Sequence, residues 1–363
     1  MLIVLQLNGK LHLDLSKDLV CFFFYQHYIK KERKMNKTHK KHYSTKRHRK
    51  TFRKLNCHPS LSKKKVLDHS CLTSEALTTL KNTYNNQNPN NLISTNDPKE
   101  IWNQLHEKIP HCDQETCWIQ NIPDKNLQTK MKRELFTPFQ PSDWKHNKNA
   151  WLSNFDIAAV LKQYEETYHT MDTNGQDKKK EFLSLGPTPI DFDTKKTNGQ
   201  CVWNELCQLS LSNEYNKGTR KIGIIYNLDT HKGTGTHWVS MFIDMTMTNN
   251  NEKPFIFYFN STSQRMPKQI HDLIARLQKQ WMEFQGTKFQ VYKNTKVSHQ
   301  RTDSECGMYS LFFIITCLTR KTDLIPDKIL TITDLVELFA RKYRIDDKYV
   351  SKFREIYFNP SHH

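Results

Sequence analysis

The sequence reads as an α+β fold, and three observations carry that reading. Four short runs have the length and the β-branched and aromatic content of buried strands: Lys221 to Leu228, the stretch after His237 (Trp238, Val239, Met241, Phe242, Ile243), Pro254 to Phe259, and Phe289 to Tyr292. Between the last two, Pro267 to Phe284 repeats Ile270, Leu273, Ile274, Leu277, Trp281 and Phe284 at helical spacing on one face. Farther on, Met308, Tyr309, Leu311, Phe312, Phe313, Ile314 and Ile315 predict a buried helix that begins at Cys306. A sheet with helices laid against it buries both kinds of apolar face together.

In chain order, the 363 residues admit one large domain or two. Residues 1 to 29 hold two apolar stretches, MLIVLQL and LVCFFFY, each too short to span a bilayer, so no membrane span is expected; Met35 is an alternative start. Lys30 to Lys54 carries thirteen Lys or Arg against one Glu, +12 of the net +18. Such a segment lacks the apolar content to fold alone, and it suits non-specific attachment to nucleic acid or to an acidic partner. Residues 1–56 are therefore expected to form a basic, disordered N-terminal segment. From 57 to 148 the pattern is helical and interrupted. A short helix at Ser74 to Leu80 precedes a polar loop at Asn85 to Asn91, and a clearer helix opens at Asp97 with Pro98 in its first turn. His111, Cys112 and Cys117, with Cys57, His58 and Cys71, are zinc ligands on paper, but no matching Cys pair follows, so no metal is expected. Nine cysteines, an odd number with no signal peptide, suggest a reducing compartment and free thiols.

Residues 149–363 read as the main domain. Asn149 to Tyr168 is an amphipathic helix capped by Ser153 or Asn154, Asp172 to Glu181 an exposed loop, and Gly186 to Asp193, with two prolines, an extended segment. Thr333 to Phe339 and Lys348 to Tyr357 are helices without chemical signal. No repeat, phosphate-binding loop or dinucleotide fingerprint occurs.

The chemistry gathers around HQRTDSECGMYS, His299 to Ser310. Cys306 opens a helix, where the macrodipole and free amides favour thiolate. Gly307 lets a carbonyl approach the Cys306 amide, and Gln300 offers a second donor for an oxyanion. By itself Cys-Gly is more often a structural cysteine before a core helix. Upstream, however, His237 follows a glycine-rich turn at the mouth of a strand, and Asn260 ends the next strand. His, Asn and Cys in that order supply a base, an orienting group and a nucleophile. Asp244 is the other candidate for the orienting role. It lies seven residues from His237, on the opposite face and over about 20 Å along the strand, which favours Asn260.

These stretches resemble the Ulp1-like and adenovirus-type cysteine proteases, whose pattern is His-Trp, then Asp or Asn, then Gln shortly before Cys-Gly. The likeness is in particular to the African swine fever virus type of polyprotein-processing protease of large DNA viruses. It rests on Ile222 to Met245, Phe257 to Ser261 and His299 to Ser310, and extends to WLSNFDI (Trp151 to Ile157) and GPTPIDF (Gly186 to Phe192). The resemblance implies a papain-superfamily core with a mixed central sheet, preceded by a helical arm domain over 57–148. It also implies catalytic His237, Asn260 and Cys306, an oxyanion hole at Gln300 and the Cys306 amide, and substrate contacts at Trp238, Trp151, Ser153 and Asn154. No cofactor is implied. The expected activity is cleavage after small residues, Gly-Gly or Gly-X, in a viral structural polyprotein, with location in the virion and host cytoplasm. SUMO or ubiquitin deconjugation is the alternative within the same chemistry; a non-catalytic virion or nucleic-acid-binding protein is the alternative outside it.

Overall fold

The structure, a computed structural model, describes residues 51–360 apart from 64–65, 172–176, 247–252 and 342. Most of the basic tract at 30–54 lies outside the described residues. Thr73 and Asp97 open the first two helices, α1 (Ser74–Gln87) and α2 (Pro98–Lys108), by accepting backbone N–H groups from Ala76 and Glu100. Helix α1 runs past its expected end at Leu80 into the first three residues of the stretch expected to be a polar loop, and residues 88–91 then form that turn. Tyr84 is buried on it, and both amide atoms of Asn85 hold the Ile93 backbone at 2.8 and 2.9 Å, so asparagines near its end serve contacts rather than a break. Two further helices were not expected, α3 (Glu115–Gln120) and α4 (Lys125–Leu135). Asp124 caps α4 through Asn126 N and Leu127 N, and Met131 and Leu135 join Leu77, Ile101, Leu105 and Trp118 in one apolar cluster.

The free-thiol expectation is corrected. Cys57–Cys71, Cys112–Cys117 and Cys201–Cys207 stand as disulfides, their Cα atoms 5.1, 5.5 and 6.3 Å apart, and only Cys306 and Cys317 are free among the described residues. Folding brings these pairs within bridging distance, which their spacing along the chain does not reveal.

Helix α5 (Asn154–Thr167) is followed by β1 (His169–Met171), paired antiparallel with β2 (Asp177–Lys180); of the loop expected at Asp172 to Glu181, residues 172–176 lie outside the described residues and Asp177–Lys180 is strand. Next come β3 (Phe182–Pro189), short helices α6 (Asn204–Cys207) and α7 (Leu211–Asn216), β4 (Lys221–Asn227), β5 (Trp238–Asp244), β6 (Phe255–Phe259), α8 (Lys268–Gln285) and β7 (Gln290–Lys293). Helix α9 (Cys306–Thr319) precedes α10 (Ile332–Val336), which continues as a π turn over Glu337–Arg341, and then α11 (Asp347–Ser351) and α12 (Arg354–Tyr357). The five-stranded sheet has the order β3-β4-β5-β6-β7, antiparallel at its centre and parallel at both edges. Strand β3 contains Gly186 to Pro189, the first half of the segment expected to be extended, with both its prolines; the chain turns after it. Proline cannot complete a central ladder, and the edge position tolerates it.

Period-two alternation sends each strand's side chains to two separate cores. Ile224, Tyr226, Val239, Met241, Ile256 and Tyr258 face the α8 stripe of Ile270, Leu273, Ile274, Leu277 and Trp281. Ile225, Phe242, Phe255, Phe257 and Phe259 face α9, in which every residue from Cys306 to Leu318 is buried. At the far end of β5, Asp244 is buried against Arg320 at 2.9 Å, an ion pair remote in sequence and strand position from His237.

Helix α9 lies close on the sheet because Gly223 has no side chain: a Cβ there would meet Ile314 Cγ2 at 2.9 Å and the Phe182 ring at 3.0 Å. Gly223→Ala should therefore cost about 1–3 kcal/mol in urea unfolding by overpacking, and Ile314→Leu, which lacks that branch methyl, should recover part of it. An additive double variant would contradict this contact as the source.

Candidate active site

Three chain segments meet at one mouth of the sheet: the start of β5, the end of β6 and the start of α9. The turn before β5 needs its glycines. Gly235 has φ +95°, and a Cβ at Gly233 would fall 2.1 Å from the Asp229 carboxylate. Asp229 in turn accepts Gly235 N at 3.0 Å, and His231, bonded to Asp191 through its backbone N at 2.9 Å and Nδ1 at 2.6 Å, ties the turn to the segment after β3. His237 is delivered half-buried at the strand mouth.

His237 Nε2 lies 2.9 Å from Asn260 Oδ1. The same oxygen accepts from Thr262 N at 3.0 Å and Thr262 Oγ1 at 2.8 Å. A backbone N–H can only donate, so this end of the Asn260 amide is its carbonyl. His237 must then carry its proton on Nε2, which leaves the lone pair on Nδ1. Asn260 is wholly buried, and Asn294 Nδ2 holds its backbone carbonyl at 2.9 Å.

Cys306 is 1% exposed at the first position of α9. The expectation that the helix end alone would favour thiolate is corrected in direction. Burial pushes the Cys306 thiol above its ordinary value, outweighing the downward pull of the Trp238, Gly307 and Cys306 amides, and the Glu305 carboxylate adds to the rise. His237 moves the opposite way: burial lowers it, against the Asn260 hydrogen bond. Both shifts favour the uncharged thiol and imidazole in the protein without substrate.

Gln300 is buried beside the end of β6. His299 N and Gln300 N both donate to Ser261 O, at 2.8 and 3.0 Å, and Ser261 Oγ donates to Gln300 Oε1 at 2.7 Å. Gln300 Nε2 gives one hydrogen to Thr302 O, and because a backbone carbonyl can only accept, this bond fixes the donor end of the amide, which keeps a second hydrogen. Sequence reasoning passed over Ser261 and Thr262, whose only signal was their position directly after Asn260.

Trp238, Trp151, Ser153 and Asn154 line one groove of about 600 Å³, with Pro187, Trp203 and the Gly233–Gly235 turn on its other side. Trp238 is nearly buried and donates Nε1 to Leu152 O at 3.2 Å, whereas Trp151 is 46% exposed. Ser153 serves as the α5 cap, its hydroxyl bonded to Asp156 at 2.6 Å. A Cβ on Gly307 would meet Leu152 at 3.2 Å and Trp238 at 3.3 Å, so the glycine keeps the wall close. Ligand atoms of His111, Cys112 and Cys117 lie within 4.8 Å of one another, but the Cys112–Cys117 disulfide withdraws both thiolates from metal binding.

His299, beside Gln300, is fully buried and neutral by geometry: Nδ1 accepts Ile345 N at 3.0 Å, so Nε2 donates to Phe339 O at 2.9 Å. Burial lowers its pKa from 6.5. Below about pH 6.5 the unfolded chain then binds protons that the fold resists, and stability is lost as pH falls. The loss in urea midpoint between pH 7.5 and 5.5 should be smaller in His299→Gln than in wild type; equal losses would contradict a neutral His299.

Residues 222–352 match the sequence model of the Ulp1 protease family, C-terminal catalytic domain. A protein of Acanthamoeba polyphaga mimivirus named as a thiol protease is 28% identical over 193 residues, 53% of this chain and 56% of the relative. The match thus spans little more than half of that relative's length. A SUMO-1 cysteine protease of African swine fever virus is 27% identical over 238 residues, 62% of this chain and 81% of the relative. The crystal structure of the African swine fever virus protease aligns with TM-score 0.54 at 21% identity, covering 86% of this chain and 98% of that one, and the two share a fold.

Proposed function

We propose that this chain, whose residues 222–352 match the model of the Ulp1 protease family's C-terminal catalytic domain, is an endopeptidase in which Cys306 is the nucleophile, His237 the base and Asn260 the orienting group. The observation that carries this reading is the 2.9 Å contact between His237 Nε2 and Asn260 Oδ1, which turns the Nδ1 lone pair to the remaining task. His237 Nδ1 takes the thiol proton as the sulfur attacks the substrate carbonyl, so an uncharged resting pair is productive. The Cys306 amide and the second hydrogen of Gln300 Nε2 stabilise the tetrahedral oxyanion. His237 then gives the proton to the leaving amine, the thioester forms, and water activated by the same imidazole hydrolyses it to the acid. Cys306 regains its proton.

The substrate in this reading is a polypeptide cleaved after a small residue, Gly-Gly or Gly-X, with Trp238 as the wall that excludes larger side chains; Trp151 and Asn154 border its upstream part. The close approach of Leu152 and Trp238 to Gly307 supports this. We place the reaction in processing of viral structural polyproteins during virion maturation, an assignment supported by the viral source of the relatives. The name of the African swine fever virus relative favours a second reading, deconjugation of a SUMO-like protein.

A thiol-reactive probe with a Gly-Gly recognition element should label Cys306 selectively, lose that label in Cys306→Ala and lose most of it in His237→Ala, with peptide mapping as readout. On a Gly-Gly peptide, His237→Ala should lower kcat/KM by about 10²–10⁴-fold. Uniform labelling of the cysteines would overturn the assignment. Faster turnover of a fluorogenic SUMO substrate than of unstructured Gly-Gly peptides would select the second reading.

A further inference from the structure

The residue directly before Cys306 is a carboxylate that the mechanism does not use. Glu305 is 3% exposed, and a buried charge persists only when it is paired and hydrogen-bonded. Its partner comes from α12: Arg354 Nη2 donates to Oε1 at 2.9 Å and Nε to Oε2 at 3.3 Å, and Arg354 is itself only 6% exposed. The same guanidinium donates Nη1 to Ala150 O at 3.0 Å, reaches Ser304 O at 3.5 Å and lies 4.4 Å from the centre of the Trp144 ring. One side chain near the C-terminus thus holds the entry to α9 and the segment leading into Trp151 and Leu152, on the wall of the groove. A lysine could not reach these targets at once, because only the planar fork presents donors in fixed, divergent directions.

We propose that Arg354 is a positioning residue for the Cys306 reaction: it offsets part of the Glu305 charge beside the thiol and locks the α9 entry to the groove wall. Charge next to the sulfur matters because the thiolate is the attacking form, and an uncompensated carboxylate there opposes it. The groups facing this corner are few. Glu305 sits on the entry loop, Arg354 on α12 and His237 at the mouth of β5. Arg301 and Asp303 on the same loop are exposed to solvent, and the Leu152 segment brings no charge. The inference rests on Cys306 as the nucleophile.

The test uses the full chain and the pH profile of iodoacetamide alkylation at Cys306, read by peptide mapping. Arg354→Gln should raise the inflection by about one unit, slowing alkylation at pH 7 about tenfold. Glu305→Gln, which leaves the guanidinium unpaired, should lower it, and the double variant should return to within about twofold of wild type. Opposite signs are what a merely structural contact would not produce. Shifts of the same sign, or an unmoved inflection in folded variants, would overturn the proposal. Should Arg354→Gln fail to fold, the direction of Glu305→Gln decides. Loss of His237-dependent labelling in the wild type would remove the nucleophile assignment itself, whereas intact labelling with an unmoved profile removes this proposal alone.

Discussion

The bond from Thr262 N to Asn260 Oδ1 is the constraint on which the rest of the site depends. An amide can present either end to an imidazole, and a donor that cannot invert its role settles the choice. From that single direction follow the proton on His237 Nε2, the lone pair on Nδ1 and the sense in which a proton can move. The Thr302 carbonyl, which can only accept, does the same for Gln300, whose Oε1 then accepts from Ser261 Oγ, one residue before Thr262. Residues next to the end of β6 therefore orient both amides proposed for the site.

Burial and helix field act against each other at Cys306. Three amides favour the thiolate, yet a cysteine only 1% exposed loses more by leaving water than it gains from them. The result is a neutral pair, suited to transferring its proton as a carbonyl arrives. Next to Cys306, the missing side chain of Gly307 lets Leu152 and Trp238 come close, which keeps the groove wall near the helix start.

The site is braced from the C-terminal side. His299 is held between Phe339 O and Ile345 N, Asp347 accepts Arg301 N at 3.1 Å, and Arg354 grips Glu305 and Ala150. The last helices, silent as chemistry, fix the loop from Gln300 to Cys306, as a loop proposed to carry a donor and a nucleophile requires.

The sequence alone determined strands β4 to β7 and the helices α8 and α9, whose apolar patterns have no other use. It also supplied the members of the proposed site, because His before Trp, Asn at a strand end and Cys-Gly at a helix start are local patterns. Preference for Asn260 over Asp244 followed from strand geometry, and Asp244 sits with Arg320 far along β5. What only tertiary structure decided are quantities set by neighbours distant in the chain: the partners of six cysteines, the edge position that lets β3 carry two prolines, and the length of α1. Direction of the Cys306 shift belongs with them, since desolvation depends on what covers the sulfur and no local pattern contains that. So does the link from Arg354 to Glu305, two residues 49 apart whose charges have meaning only once both are dry.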